Sequence, residues 1–110
     1  MKKIMNEPDT LIADELQGFA KIYPRQVKLA DSVTAVVRAV PKSAGKVKLV
    51  MGNGGGHEPA VIGWVGEGMF DCDVVGDLFS APSGERCFRR SRRSTTKVRS
   101  YCVSRITRVM

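Results

Sequence analysis

The chain has 110 residues, a mass of 12.0 kDa, 43% hydrophobic residues and a formal net charge of +7. That is enough for one domain with an ordinary core. No apolar run approaches the roughly 18 residues of a membrane span, and Met1-Lys2-Lys3 leads into Asn6, Glu7, Pro8 and Asp9 instead of an apolar signal core, so the default compartment is the cytoplasm.

The charge is unevenly spread. Residues 1–86 carry ten Lys and Arg against eleven Asp and Glu, whereas residues 87–110 carry eight basic residues and no acid. The cysteines, Cys72, Cys87 and Cys102, are odd in number and lack C-x-x-C spacing, and one histidine alone could join them, so neither a metal site nor a disulfide framework is expected.

In chain order, Leu11, Ile12, Leu16, Phe19, Ala20 and Tyr23 fall on one side of a 3.6-residue repeat, which predicts an amphipathic helix over residues 8–23. Asn6 or Asp9 can cap its start, and Pro24 stops it. Val27, Leu29 and the β-branched cluster at 33–39 predict one or two short strands, followed by a turn at 41–45. Residues 46–51 alternate and then turn fully apolar, as a strand entering a buried sheet does. This strand delivers Met51-Gly52-Asn53-Gly54-Gly55-Gly56-His57-Glu58-Pro59, in which four of nine residues are glycine and which holds the only histidine.

A backbone without Cβ atoms lets amide N–H groups approach a ligand closely, so a small polar substrate could lie here. Pro59 suits the first position of a helix over 59–70, whose positive end would face the same loop. His57, with a reference pKa near 6.5, stands where an acid or base would be useful. Two phosphate-loop patterns fail: a Walker A loop would need Gly-Lys where His57-Glu58 stand, and G-x-G-x-x-G from Gly52 would need glycine at position 57. Among the nearby acids, Glu58 is placed to orient the loop, while Glu67, Asp71, Asp73 and Asp77 are expected at helix ends, turns or solvated positions. Residues 73–79 predict a second buried strand, and Ser80-Ala81-Pro82-Ser83 a turn starting another helix. Strand, loop, helix and strand together predict a parallel βαβ unit with a right-handed crossover, and ligands in such sheets sit outside the carboxyl ends of the strands.

The loop and its continuation, Gly63-Trp64-Val65-Gly66-Glu67-Gly68-Met69 and then Val75-Gly76-Asp77-Leu78-Phe79-Ser80-Ala81-Pro82-Ser83-Gly84, resemble the substrate loop of the dihydroxyacetone kinase K subunit family. The resemblance spans residues 1 to about 86. It implies an α/β fold, the N-terminal part of a K domain whose sheet is truncated, with the backbone of Gly54 and Gly55 binding dihydroxyacetone or a related ketose. His57 would help move the proton of the hydroxyl that becomes phosphorylated. The family's second histidine, which holds the ketone carbon covalently, is absent by count, and a later aspartate lies outside the matched segment. The resemblance further implies no cofactor and no metal bound by this segment. The phosphoryl donor, ATP with Mg²⁺ or a phosphorylated protein, would be held by a partner L subunit or domain, and the intact family pairs as homodimers.

Family members continue past Ser83-Gly84-Glu85-Arg86 with an amphipathic helix and an apolar strand. This chain continues with arginine and serine and shows no clear period, so residues 1–86 read as a partial K domain and 87–110 as a basic tail, as a changed reading frame would produce. The isolated chain is then expected to be inactive. A basic tail carrying Phe88 and Tyr101 also fits a small nucleic-acid-binding protein, the less favoured alternative; a small interaction protein related to the K subunit is a third.

Overall fold

The computed structural model describes residues 2–30, 34–93 and 100–104. A 3₁₀ turn, Pro8–Thr10, leads into α1 (Leu11–Ile22), followed by β1 (Val27–Leu29), β2 (Ala35–Arg38), β3 (Lys48–Gly55), β4 (Cys72–Leu78), α2 (Gly84–Arg93) and β5 (Ser100–Ser104). The five strands form one mixed sheet in the order β1-β2-β4-β3-β5. β1 and β2 run antiparallel to their neighbours, and β4, β3 and β5 run parallel to one another. The parallel pairing of β3 with β4 is the one expected of the strand-loop-strand unit, so the α/β assignment holds.

Alternation along the strands sorts the core into two layers. Val27, Val36 and Val75 face α1, packing with Leu16, Ile62 and Val65 and with the partly buried Ile12, Phe19 and Phe70. Ala35, Val37, Val50, Cys72 and Val74 face the other way, onto Cys87 of α2. A period of two puts successive side chains on opposite faces, so a helix on each face makes a three-layer α/β arrangement.

Three expectations are corrected. No α-helix follows the glycines: residues 57–61 turn back on themselves, with Ala60 N–H donating to the His57 carbonyl at 2.9 Å and Gly63 N–H to that of Pro59 at 2.9 Å, and only the 3₁₀ turn Ile62–Trp64 follows. Pro59 therefore stands in this turn and is not the first residue of a helix. Gly63, Gly66 and Gly68 are each poor helix formers, and Gly68 has φ +78°, which lets the segment fold into tight turns. Second, α1 has no side-chain cap; Asn6 Nδ2 and Thr10 Oγ1 instead donate to Asp14 Oδ2 at 3.0 and 2.9 Å. Third, residues beyond Arg86 are not without regular structure. α2 runs on to Arg93 and β5 pairs with β3, although Cys87 is the one α2 residue in the core clusters, so no apolar stripe announces the helix.

Candidate functional site

The glycine run is not a loop. β3 continues past Met51 through Gly55, because backbone pairing to β4 needs no side chain and neighbouring chain segments crowd the positions where side chains would stand. A Cβ on Gly54 would come within 3.2 Å of the Ser80 backbone, and one on Gly55 would run into the Ile12 side chain. Gly76 on β4 is under the same constraint, since a Cβ there would collide with the backbone of Ser80 to Pro82. The turn begins at Gly56, whose φ of +93° favours glycine.

β5 pairs with β3 from Lys48 to Gly52. Among the described residues no strand pairs with Asn53 to Gly55 on the side away from β4, and these three residues are buried at the carboxyl end of the strand. The opposite edge is engaged: the Gly55 carbonyl accepts the Phe79 N–H at 2.8 Å. Phe79 itself has φ +55°, rare for a bulky side chain, and its ring meets that of His57 edge-on at 6.0 Å between centroids. His57 is exposed. The fold thus brings the three candidate residues, Gly54, Gly55 and His57, to the carboxyl end of β3.

The turn is held from inside. Glu58 Oε2 accepts the Gly56 N–H at 2.7 Å, which fits the loop-orienting place given to Glu58 by its position. A cleft of about 630 Å³ adjoins it, lined by Lys3, Ile4, Asn6, Glu15, Gly56 and Leu78 among others.

Two aspartates expected at turns or in solvent are buried. Asp71 accepts from Arg38 at 3.1 Å, Lys42 at 2.9 Å and the Leu49 N–H at 2.8 Å. Burial alone would raise its pKa, but the three donors outweigh burial and lower it. Asp73 is 0% exposed, and neither carboxyl oxygen has a hydrogen-bond partner. Burial, and then the charge of Glu58, push it up to about 7. Asn53, one pair along on the same face, is also buried with its Nδ2 unpartnered. Sequence reasoning missed Asn53 and Asp73 as internal polar groups; the available signal was a polar residue at an inward-facing position of an apolar strand. Among the described residues no three metal-ligating side chains stand together, and no helix is long and apolar enough to cross a membrane.

Comparison with known proteins finds relatives in sequence and in fold. The Escherichia coli PEP-dependent dihydroxyacetone kinase, dihydroxyacetone-binding subunit DhaK, is 38% identical over 88 residues, 80% of this chain and 24% of that one. The D-erythrulose kinase of Mycolicibacterium smegmatis is 42% identical over 85 residues, 77% of this chain and 14% of that one. The crystal structure of the dihydroxyacetone kinase from C. freundii in complex with AMP-PNP and Mg²⁺ superimposes with a TM-score of 0.82 at 27% identity, covering 92% of this chain and 19% of that one. The chain thus spans a quarter or less of the length of each. The Dak1 domain pattern matches residues 17–100, through the glycine strand and into β5, and on that match the chain belongs to the Dak1 domain family.

Proposed function

We propose that this chain supplies the ketose-binding edge of a dihydroxyacetone kinase. The observation that carries the reading is the exposed His57 ring directly after the glycine strand, whose Asn53 to Gly55 have no paired strand on the side away from β4 among the described residues. The small hydroxyls and the carbonyl of dihydroxyacetone would hydrogen-bond to the backbone of Gly54 and Gly55. In phosphoryl transfer, the terminal hydroxyl oxygen forms a bond to phosphorus as the bond from phosphorus to the donor breaks, and the hydroxyl proton passes to a ring nitrogen of His57. Positioning and electrostatics supply most of the catalysis in such reactions.

The charged groups at this edge do not fit a nucleotide's phosphates. Glu58 holds the Gly56 N–H, and Asp14, Glu15 and Lys3 line the cleft beside it. In this reading the donor, ATP with Mg²⁺ or a phosphorylated protein, belongs to a partner L subunit or domain, and no step at this edge runs through it. The partial K domain takes in α2 and β5 beyond Arg86 as well as the glycine strand. The relatives leave room for dihydroxyacetone or a four-carbon ketose such as erythrulose.

Titration of dihydroxyacetone into the ¹⁵N-labelled chain tests the reading. The amides of Gly54, Gly55 and His57 should shift together, while glycerol, which lacks the ketone, should shift them far less. If those amides stay still while others move, the ketose lies elsewhere. Replacing His57 by Asn should leave the Gly54 and Gly55 shifts largely intact.

A further inference from the structure

Most of the basic residues of 1–86 gather at the end of the sheet opposite the glycines. Lys48 opens β3 and Asp71 directly precedes β4, so this end lies roughly 20 Å from Gly55 at about 3.3 Å per strand residue. A cavity of about 200 Å³ here is lined by Lys28 of β1, Arg38 of β2, Lys42, Lys48 and Arg90 of α2, with Asp71 as its single acid. A wider cavity of about 680 Å³ shares Arg38 and Lys42 and adds Arg25 and Lys46, against one further acid, Glu67. Residues 1–86 hold ten Lys and Arg, and six of them line these two cavities, although acids and bases nearly cancel over that segment.

Asp71 does not neutralise the smaller cavity. Its carboxylate already accepts from Arg38 at 3.1 Å, from Lys42 at 2.9 Å and from the Leu49 N–H at 2.8 Å, so five cations share one acid. A cleft lined by one sign of charge focuses its field and draws in the opposite ion. Arg90 adds a donor that lacks an acceptor: its Nε is buried and, among the described residues, makes no hydrogen bond. Leaving such an N–H unsatisfied is costly, and a turn of the flexible side chain toward the cavity it lines would give it an oxyanion acceptor.

We propose that the smaller cavity binds one phosphate group, either free phosphate or the head of a small phosphate monoester whose organic part lies in the wider cavity. Arg90 supplies a planar fork that matches two phosphate oxygens, and Lys28 and Lys48 supply point charges around the rest. Arg38 and Lys42, held by Asp71, form the fixed wall. A volume of about 200 Å³ equals that of roughly six or seven waters at ~30 Å³ each, room for one phosphate group with a few waters and not for a nucleotide. The site stands apart from the glycine strand and does not depend on the ketose reading.

The test is an NMR titration of the full ¹⁵N-labelled chain with inorganic phosphate near neutral pH, at constant ionic strength with chloride as the balancing anion. The Arg90 Nε–H resonance and the amides of Lys28, Arg38 and Lys48 should shift together and saturate. Glycerol 2-phosphate is the ester probe: affinity about tenfold or more above that of inorganic phosphate assigns the site to an ester, and a smaller gain assigns it to free phosphate. Arg90→Gln and Lys28→Gln should each weaken phosphate binding about tenfold. Lys28 is exposed, so its variant decides where the Arg90 variant fails to fold. Shifts that grow without saturating, that chloride alone reproduces, or that survive the substitutions unchanged overturn the site.

Discussion

Asp71 and Asp73 stand two positions apart where β4 begins, both buried, and their surroundings could hardly differ more. At the Asp71 end, a cavity of about 200 Å³ is lined by Lys28, Arg38, Lys42, Lys48 and Arg90, and the aspartate accepts three hydrogen bonds that tie β2, the 41–45 segment and β3 to β4. At the Asp73 end the one charge acting on the carboxyl is that of Glu58, and among the described residues no donor reaches its oxygens. One aspartate has its pKa lowered and the other has it raised. The first arrangement stabilises the fold, and the second stores an unsatisfied polar group, which natural structures tolerate mainly where it serves a site.

The largest expected effect breaks the satisfied end. Asp71→Ala leaves Arg38 and Lys42, whose side chains are 11% and 22% exposed, without their acid, and should cost about 3 kcal/mol in urea unfolding at neutral pH. Because the folded pKa of Asp71 is lowered, its contribution is fully present above the ordinary aspartate range and is lost as the solution is acidified through the folded value. A loss below about 1 kcal/mol would mean that the cations find water instead, as at exposed pairs.

A smaller effect of opposite sign belongs to the other aspartate. The folded pKa of Asp73 is raised, so stability is fully present below the ordinary aspartate value and declines as pH rises toward about 7 and through it. Asp73→Asn removes that titration and should raise stability at pH 8 by about 2 kcal/mol, with no gain at pH 4. Parallel stability curves for the two proteins between those pH values would erase the contrast between the two ends.

The smallest effect isolates local propensity from both ends. Gly18 lies inside α1 with nothing within 4 Å of the point where a Cβ would stand, so Gly18→Ala should add about 0.5–1 kcal/mol at any pH, by thermal unfolding. A loss instead would mean that α1 cannot tolerate added bulk and that its packing on the Glu15 side is tighter than the geometry indicates.

Much of the fold is legible in the sequence because it depends on periodicity. The stripe through Leu16 and Phe19 marks α1, Pro24 marks its end, and the β-branched clusters mark β1, β2 and β4. The family motif carries Gly54, Gly55 and His57 within four consecutive positions. Other features depend on contacts that no local pattern encodes. Residues 59–70 resemble a short helix until the hydrogen bonds from Gly66 to Phe70 and from Phe70 to Trp64 close a turn across them. α2 escapes notice because arginines surround its buried Cys87 and the helix is held by the sheet, not by a stripe of its own.

The sequence by itself determined the α/β character, the glycine-rich delivery of His57 and the family, because each is written in residue types at fixed spacing. Only the tertiary structure decided that the glycines continue a strand and are buried in it, and that Asp71 is satisfied while Asp73 is not. The physical reason is that hydrogen-bond satisfaction and pKa depend on which distant groups meet. Asp71 finds Arg38, thirty-three residues away in the chain, and Asp73 finds Glu58.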